Sequence, residues 1–177
     1  KVQFLEMEGY FYEGPQRDAA LNYVRNAGAD LCLVMDYDEI WPQVTLHNHI
    51  LRIEKEQSNS WLVNMKHLWR SFNWVCEDEG WPVRWFDFRQ PLQGSVLTTY
   101  MPKSLGPVYH FGYAIRDEVM RYKWKIHGHK SELREEWFEE KWDKWPPPKD
   151  VHPTNRKNFW EPKPLNKKNL PNVLRAH

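Results

Sequence analysis

One stretch constrains this chain more than any other: Ala29-Asp30-Leu31-Cys32-Leu33-Val34-Met35-Asp36-Tyr37-Asp38-Glu39-Ile40-Trp41-Pro42. Five apolar residues, Leu31 to Met35, run unbroken and then meet three acids within four positions. A run of that length suits a strand buried on both faces, as in a parallel sheet covered by helices. Ligands of open α/β sheets collect at the carboxyl ends of the strands, which is where Asp36 and Asp38 fall. In extended backbone, positions 36 and 38 share a side while Tyr37 points away. Two carboxylates so placed repel unless a divalent cation lies between them. The plain alternative is an acidic loop after a strand.

At 177 residues the chain suits one domain with a real core. Its 11 Trp supply core volume, and also flat faces on which sugar rings stack. The net charge of +1 hides a division: residues 1–143 hold 17 Lys/Arg against 22 Asp/Glu, and residues 144–177 hold 8 against 2. An acidic body does not favour nucleic acid as a partner, although the basic tail can touch phosphates. Two cysteines, Cys32 and Cys76, give no disulfide framework, so a reducing, cytoplasmic setting fits. No apolar run approaches the roughly 20 residues of a membrane span. The chain opens at Lys1 almost directly on a strand-like segment, which reads as a fragment.

Taken in order, Val2–Leu5 reads as a strand, and Gly14-Pro15 opens a helix that runs to Asn26 and closes at Gly28. With Leu31–Met35 this forms a strand–helix–strand unit, which normally gives two parallel strands. Residues 43–57 read as a second helix with Leu46, Ile50 and Ile53 inward. Trp61–Trp69 and Val83–Phe88 read as strands, and Arg70–Gly80 as a looser stretch. Residues 91–107 read as a loop with at most a short strand, and Val108–Tyr113 as the last strand. Residues 115–127 form a helix with Val119, Tyr122 and Ile126 on one face. Ser131 caps a further helix, with Leu133, Trp137, Lys141 and Trp145 on one side. The expected arrangement is an α/β fold in two parts. Residues 1–145 form the domain, and residues 146–177 a Pro/Lys-rich arm packed on it, pinned by Phe159 and Trp160.

Three segments together, Gln16–Leu21, Ala27–Asp30 and Leu33–Glu39, resemble the middle of family-2 glycosyltransferases of the GT-A fold, as found in bacteria and phages. In that family an Arg-rich helix, a small-residue turn, an apolar strand and an Asp-x-Asp motif follow in this order. Tyr109–Tyr113 and Gly128–Trp137 look like its later half. The resemblance implies a GT-A-like mixed, mainly parallel sheet flanked by helices, with the first nucleotide-binding strands missing before Lys1. It also implies transfer of a sugar from a nucleotide-diphosphate donor to an acceptor hydroxyl, with inversion. The acceptor would be a glycan, a lipid-linked sugar or another hydroxyl, nucleic acid entering only as a modified base. By the same resemblance Asp38 is the main ligand of Mn²⁺ or Mg²⁺, Asp36 contacts the ribose or metal-bound water, and Arg17 lies near the nucleotide. Position 18 departs from the pattern, carrying Asp where Asn is usual.

Other candidates come from the residues themselves. Glu77-Asp78-Glu79 is an acidic cluster in which Asp78, then Glu77, is the candidate catalytic base, with Asp117 as rival; a solvated acidic turn is the alternative. His110, at the end of a strand beside Gly112, is a candidate third metal ligand, and equally a structural histidine. His127 and His129 can ligate a metal in extended form, although a histidine pair alone is a weak signal, while His47 and His49 lie two apart on a helix, on different faces, and are discounted. Trp41, Trp69 and Trp81 are candidate sugar platforms that also suit a core. Two other functions fit the pattern: a metal-dependent phosphoesterase or nuclease, and a non-catalytic sugar-binding domain.

Overall fold

The computed structural model describes residues 13–56, 58–78, 82–90, 104–126, 130–154 and 160–175. The expected strand at Val2–Leu5, Trp81, Phe159 and the His127/His129 pair lie outside them. Helix α1 spans Glu13–Asn26, and Gly28 at φ +83° ends it in the left-handed conformation that glycine adopts without strain. Strand β1 is Leu31–Leu33, β2 is Glu39–Ile40, and helix α2 is Gln43–Lys55. Strands β3 (Ser60–Trp69), β4 (Trp74–Asp78), β5 (Val83–Asp87) and β6 (Ser104–Tyr113) follow. Helix α3 (Asp117–Lys125), the short β7 (Lys163–Pro164) and α4 (Asn172–Arg175) complete the elements named below.

The seven strands form one sheet, and it is mostly antiparallel. This corrects the expectation of a mainly parallel, GT-A-like sheet. Among the described residues β3 and β6 pair in parallel and every other pairing is antiparallel. The reason lies in the connections. The stretch read as loose, Arg70–Gly80, contains a tight return and β4, so the chain doubles back along β3 before any crossover is made. Leu62 pairs with both Val83 and Ser104, and Met65 with both Asp78 and Val108. Strands β4 and β5 therefore share one edge of β3, and β6 takes the other.

Strand β1 is correspondingly not central. Among the described residues it pairs with β5 alone, its three residues are half-buried, and Met35 is 52 % exposed. The apolar run is thus an edge strand followed by a turn. The organising strand is β3, whose odd positions all face one way. On that front face Trp61, Val63 and Met65 join Trp41, Ile53, Trp85, Leu105 and Val108 in a core covered by α2. Farther along, Trp69 and Cys76 join Met120, Trp137, Trp142, Val151 and Trp160. On the back, Leu68 and Tyr109 pack with Leu170 and Leu174. The tail thus reaches both faces: Trp160 lies in front, β7 pairs with β4 at the edge, and Leu170 lies behind.

Three helices differ from expectation. In α2 Ile53 is buried and Leu46 packs on the core, but Ile50 is 41 % exposed. In α3 the stripe Val119, Tyr122 and Ile126 is exposed, and Met120 and Trp124 turn inward. Trp124 stacks on Trp137 with ring centres 4.6 Å apart. A Trp–Met pair at i, i+4 shares one helix face, and that face is the one packed on Trp137 and its neighbours. Beyond Ser131 there is no long helix among the described residues. Leu133 bridges to Thr154, and Arg134 binds Thr154 and Asp150, so tertiary contacts pull the segment off a helical path. One wide π turn, Phe138–Trp142, then brings Trp137 and Trp142 inward together, 5.5 Å between ring centres. Trp145, expected on the packed side, is 59 % exposed.

Candidate functional site

The acid motif closes a turn rather than continuing the strand. Glu39 N donates to Asp36 O at 3.2 Å, and Tyr37 at the apex is 91 % exposed. The turn sends its two aspartates into different surroundings.

Asp36 meets arginines. Arg17 of α1 donates to its Oδ1 at 3.0 Å and its Oδ2 at 3.2 Å. Arg84 of β5 donates to Oδ2 as well, and also to Oε1 of Glu39, its Nε lying 2.9 Å away. The Glu39 side chain is fully buried, and its Oε2 accepts from Trp41 Nε1 at 3.0 Å and from Asp36 N at 3.2 Å. A buried carboxylate is tolerable only with such a full set of partners. Glu39 is therefore the anchor of the turn, and Arg84 its counter-ion. Nothing local in the sequence singles out Arg84; only a search for a cation to match a third acid would have found it.

Asp38 meets a mixed set. Its Oδ2 lies 3.3 Å from His110 Nε2 on β6 and 3.6 Å from Lys123 Nζ on α3. Burial by itself would raise its carboxyl pKa. The hydrogen bond and charge of His110, the charge of Lys123 and a backbone hydrogen bond outweigh it, holding the pKa at about 2. Backbone pairing fixes the approach: Phe111 N donates to Asp38 O at 2.9 Å, and Glu39 sits opposite His110. Gly112 makes room for it. A Cβ there would stand 2.6 Å from Asp38 Oδ2 and 2.6 Å from the His110 ring.

A second histidine stands behind the first. His67, opposite His110 in the β3–β6 ladder, places Nδ1 2.9 Å from His110 Nδ1, and its ring stacks on Trp160 at 4.1 Å. Two tautomer assignments satisfy the contact. In the metal-free site His110 donates from Nε2 to Asp38 while accepting from His67; with a cation between the two side chains it would instead donate from Nδ1 to His67 and turn its Nε2 lone pair to the metal. The second suits a metal, since a ligating histidine usually donates its other N–H to a neighbour. His67 had no signal in the linear sequence. Its role comes from register alone. Tyr113 closes the wall, its hydroxyl pKa pushed up by burial and by the charges of Asp38 and Cys76.

The remaining candidates separate from this cluster. Glu77 stands opposite Lys66 and pairs with it at 3.3 Å, on the back face, away from Asp38 and His110. Asp78 pairs with Met65 through the backbone, and its side chain is outside the described residues. Asp117 accepts from Trp142 Nε1 at 3.2 Å and lies 3.6 Å from Arg70 Nη2, a structural set of contacts. Trp41 and Trp69 are buried and offer no platform. His49, discounted in the sequence, is buried on α2: it accepts from Trp85 Nε1 at 3.2 Å and donates to Gly106 O at 3.1 Å. Burial foremost, then Arg52, lowers its pKa against the pull of that carbonyl.

Among the described residues no three His, Cys, Asp or Glu side chains stand ready to hold one metal ion. Asp38 and His110 do fit as a pair of ligands. Two donors each about 2.1 Å from an octahedral metal lie about 3 Å apart, close to the observed 3.3 Å. Asp36, with both oxygens on guanidinium groups, does not join them. Comparison with protein-family models, curated proteins and solved structures returned no match. Among the described residues no helix is long and apolar enough to cross a membrane.

Proposed function

We propose that this chain carries the metal and leaving-group side of a glycosyltransferase that uses a nucleotide-diphosphate sugar. The observation that carries the reading is the Asp38 carboxylate, whose Oδ2 lies 3.3 Å from His110 Nε2 and 3.6 Å from Lys123 Nζ. Asp38 and His110 would hold Mn²⁺ or Mg²⁺, and His67 would keep the His110 Nε2 lone pair turned towards it. When bound, such a cation supplies positive charge against the diphosphate as it departs. Arg17, bound to the turn's other acid, would face the nucleotide. In the reaction an acceptor hydroxyl oxygen bonds to the anomeric carbon, and the bond from that carbon to the phosphate oxygen breaks. The electron pair leaves with the diphosphate, the hydroxyl proton passes to a base, and configuration inverts. Asp78 remains the candidate for that base; Glu77, facing the other side of the sheet, does not.

Binding of uridine or guanosine diphosphate with and without Mn²⁺ tests the reading. Metal-dependent binding that Asp38→Asn abolishes supports it. Metal-independent binding, or none, removes it. The His67–His110 contact also suits a proton relay, which favours metal-dependent phosphoester hydrolysis as the second reading. Release of phosphate from a phosphodiester, with no transfer from any nucleotide sugar, would select it.

A further inference from the structure

Lys123 has no part in the sequence motif, yet its ammonium group stands beside the Asp38 carboxylate. Helix α3 fixes where its stem starts, because the neighbouring Trp124 packs on Trp137 and Met120 is buried. From there Nζ reaches Asp38 Oδ2 at 3.6 Å and Gly112 O at 3.5 Å, and lies 5.6 Å over the Tyr113 ring. Among the described residues Asp38 is the one carboxylate within ion-pair reach of it. Its side chain is 36 % exposed on a flexible four-carbon stem, whereas His110, which approaches the same oxygen, is carried by strand β6.

A divalent cation on Asp38 and His110 would share Oδ2 with this ammonium. Two positive charges a few ångströms apart repel, and a four-carbon stem lets the ammonium withdraw. A diphosphate removes the conflict, because its oxygens offer negative charge to the metal and the ammonium together. We propose that Lys123 is a diphosphate contact: it holds Asp38 while the site is empty and transfers to a phosphate oxygen when metal and diphosphate bind. This rests on the transferase reading above, and it adds a residue, a direction of movement and a sign.

The test compares the whole chain with Lys123→Met and Lys123→Arg, titrated with Mn²⁺ alone and then with inorganic pyrophosphate at saturating Mn²⁺. Thermal melting confirms that each variant is folded. Lys123→Met keeps the stem and removes the charge. Mn²⁺ alone should then bind severalfold more tightly, since its competitor is gone. Pyrophosphate should bind about tenfold more weakly, the scale of one lost charge-assisted hydrogen bond. Lys123→Arg should restore most of the pyrophosphate affinity. Both affinities falling together, or neither changing, overturns the role of Lys123 while leaving the metal site standing. A wild-type chain that binds neither Mn²⁺ nor pyrophosphate overturns the transferase reading and this inference together.

Discussion

Asp36 and Asp38 stand two residues apart in one turn, yet the fold uses them in opposite ways. Asp36 is pinned by Arg17 and Arg84, and through Arg84 it is tied to the buried Glu39. Asp38 faces an imidazole and a partly exposed ammonium instead. Guanidinium groups are always charged and fork onto carboxylates, so they make a permanent clamp. Histidine offers a lone pair, and a lysine can leave. The first set builds a mount; the second leaves an oxygen that another cation can claim. An Asp-x-Asp pattern is thus two different devices, and the surroundings decide which acid is which.

The largest effect is expected from breaking the mount. Arg84→Met strands Glu39 as a buried charge and should cost about 3–5 kcal/mol in urea unfolding. Adding Glu39→Met should recover much of that loss, since a hydrophobic replacement of the whole pair is often neutral. An Arg84→Met variant as stable as the wild type would show that Glu39 needs no counter-ion.

Next in size is Asp38→Asn. Because the fold lowers the Asp38 pKa from 3.8 to about 2, the ionised carboxylate stabilises the native state by about 2 kcal/mol at neutral pH. The contribution is present in full above pH 3.8 and is lost as pH falls through about 2. The substitution should therefore destabilise at pH 7, and the gap from wild type should narrow below about pH 4. Relief of repulsion between the two aspartates would have the opposite sign, and it is excluded if the variant is the less stable at pH 7.

Gly112→Ala should cost less, near the low end of the roughly 1–3 kcal/mol of overpacking, because the atoms it meets are side-chain ends. Its Mn²⁺ affinity should nonetheless fall, since Asp38 and the His110 ring must move apart. The smallest effect belongs to His49, remote from the turn. Its folded pKa lies below the usual 6.5, so the unfolded chain binds more protons there. Its contribution is full above about pH 6.5 and is lost as pH drops further. His49→Gln, which keeps a donor and an acceptor, should flatten the fall in melting temperature between pH 7 and pH 5.

How much of this was legible in the sequence depends on whether the cause is local. Pro15, Pro42 and Gly28 mark α1 and α2 because their backbone restrictions act within a residue or two. Strand β3 is legible because Trp61, Val63 and Met65 fall on alternate positions of a run rich in apolar residues, with Asn64 between the last two and Lys66 after them. Strand β4 is not: Trp74-Val75-Cys76 is too short to signal alone, and with it hidden the sheet read as parallel. The unbroken run Leu31–Met35 misled for a related reason. Apolar composition reports burial, not place in a sheet, and half of that burial is absent at an edge. At the site, Asp36, Asp38 and His110 are visible because carboxylates and a histidine near strand ends are rare and chemically loaded. Arg84, His67 and Lys123 come from three distant segments, and only register and helix phase bring them in. The Met120–Trp124 and Val119–Tyr122–Ile126 stripes of α3 were both present in the sequence, and tertiary packing chose between them.

The most direct measurement is the Mn²⁺ affinity of three chains side by side: wild type, Asp36→Asn and Asp38→Asn, followed by the electron paramagnetic resonance of free Mn²⁺. Asp36 belongs to the mount and Asp38 to the metal. Wild type should bind one equivalent, Asp36→Asn should still bind with a modest loss, and Asp38→Asn should not bind. Loss of the metal in Asp36→Asn with binding retained in Asp38→Asn would contradict the assignment of the two acids.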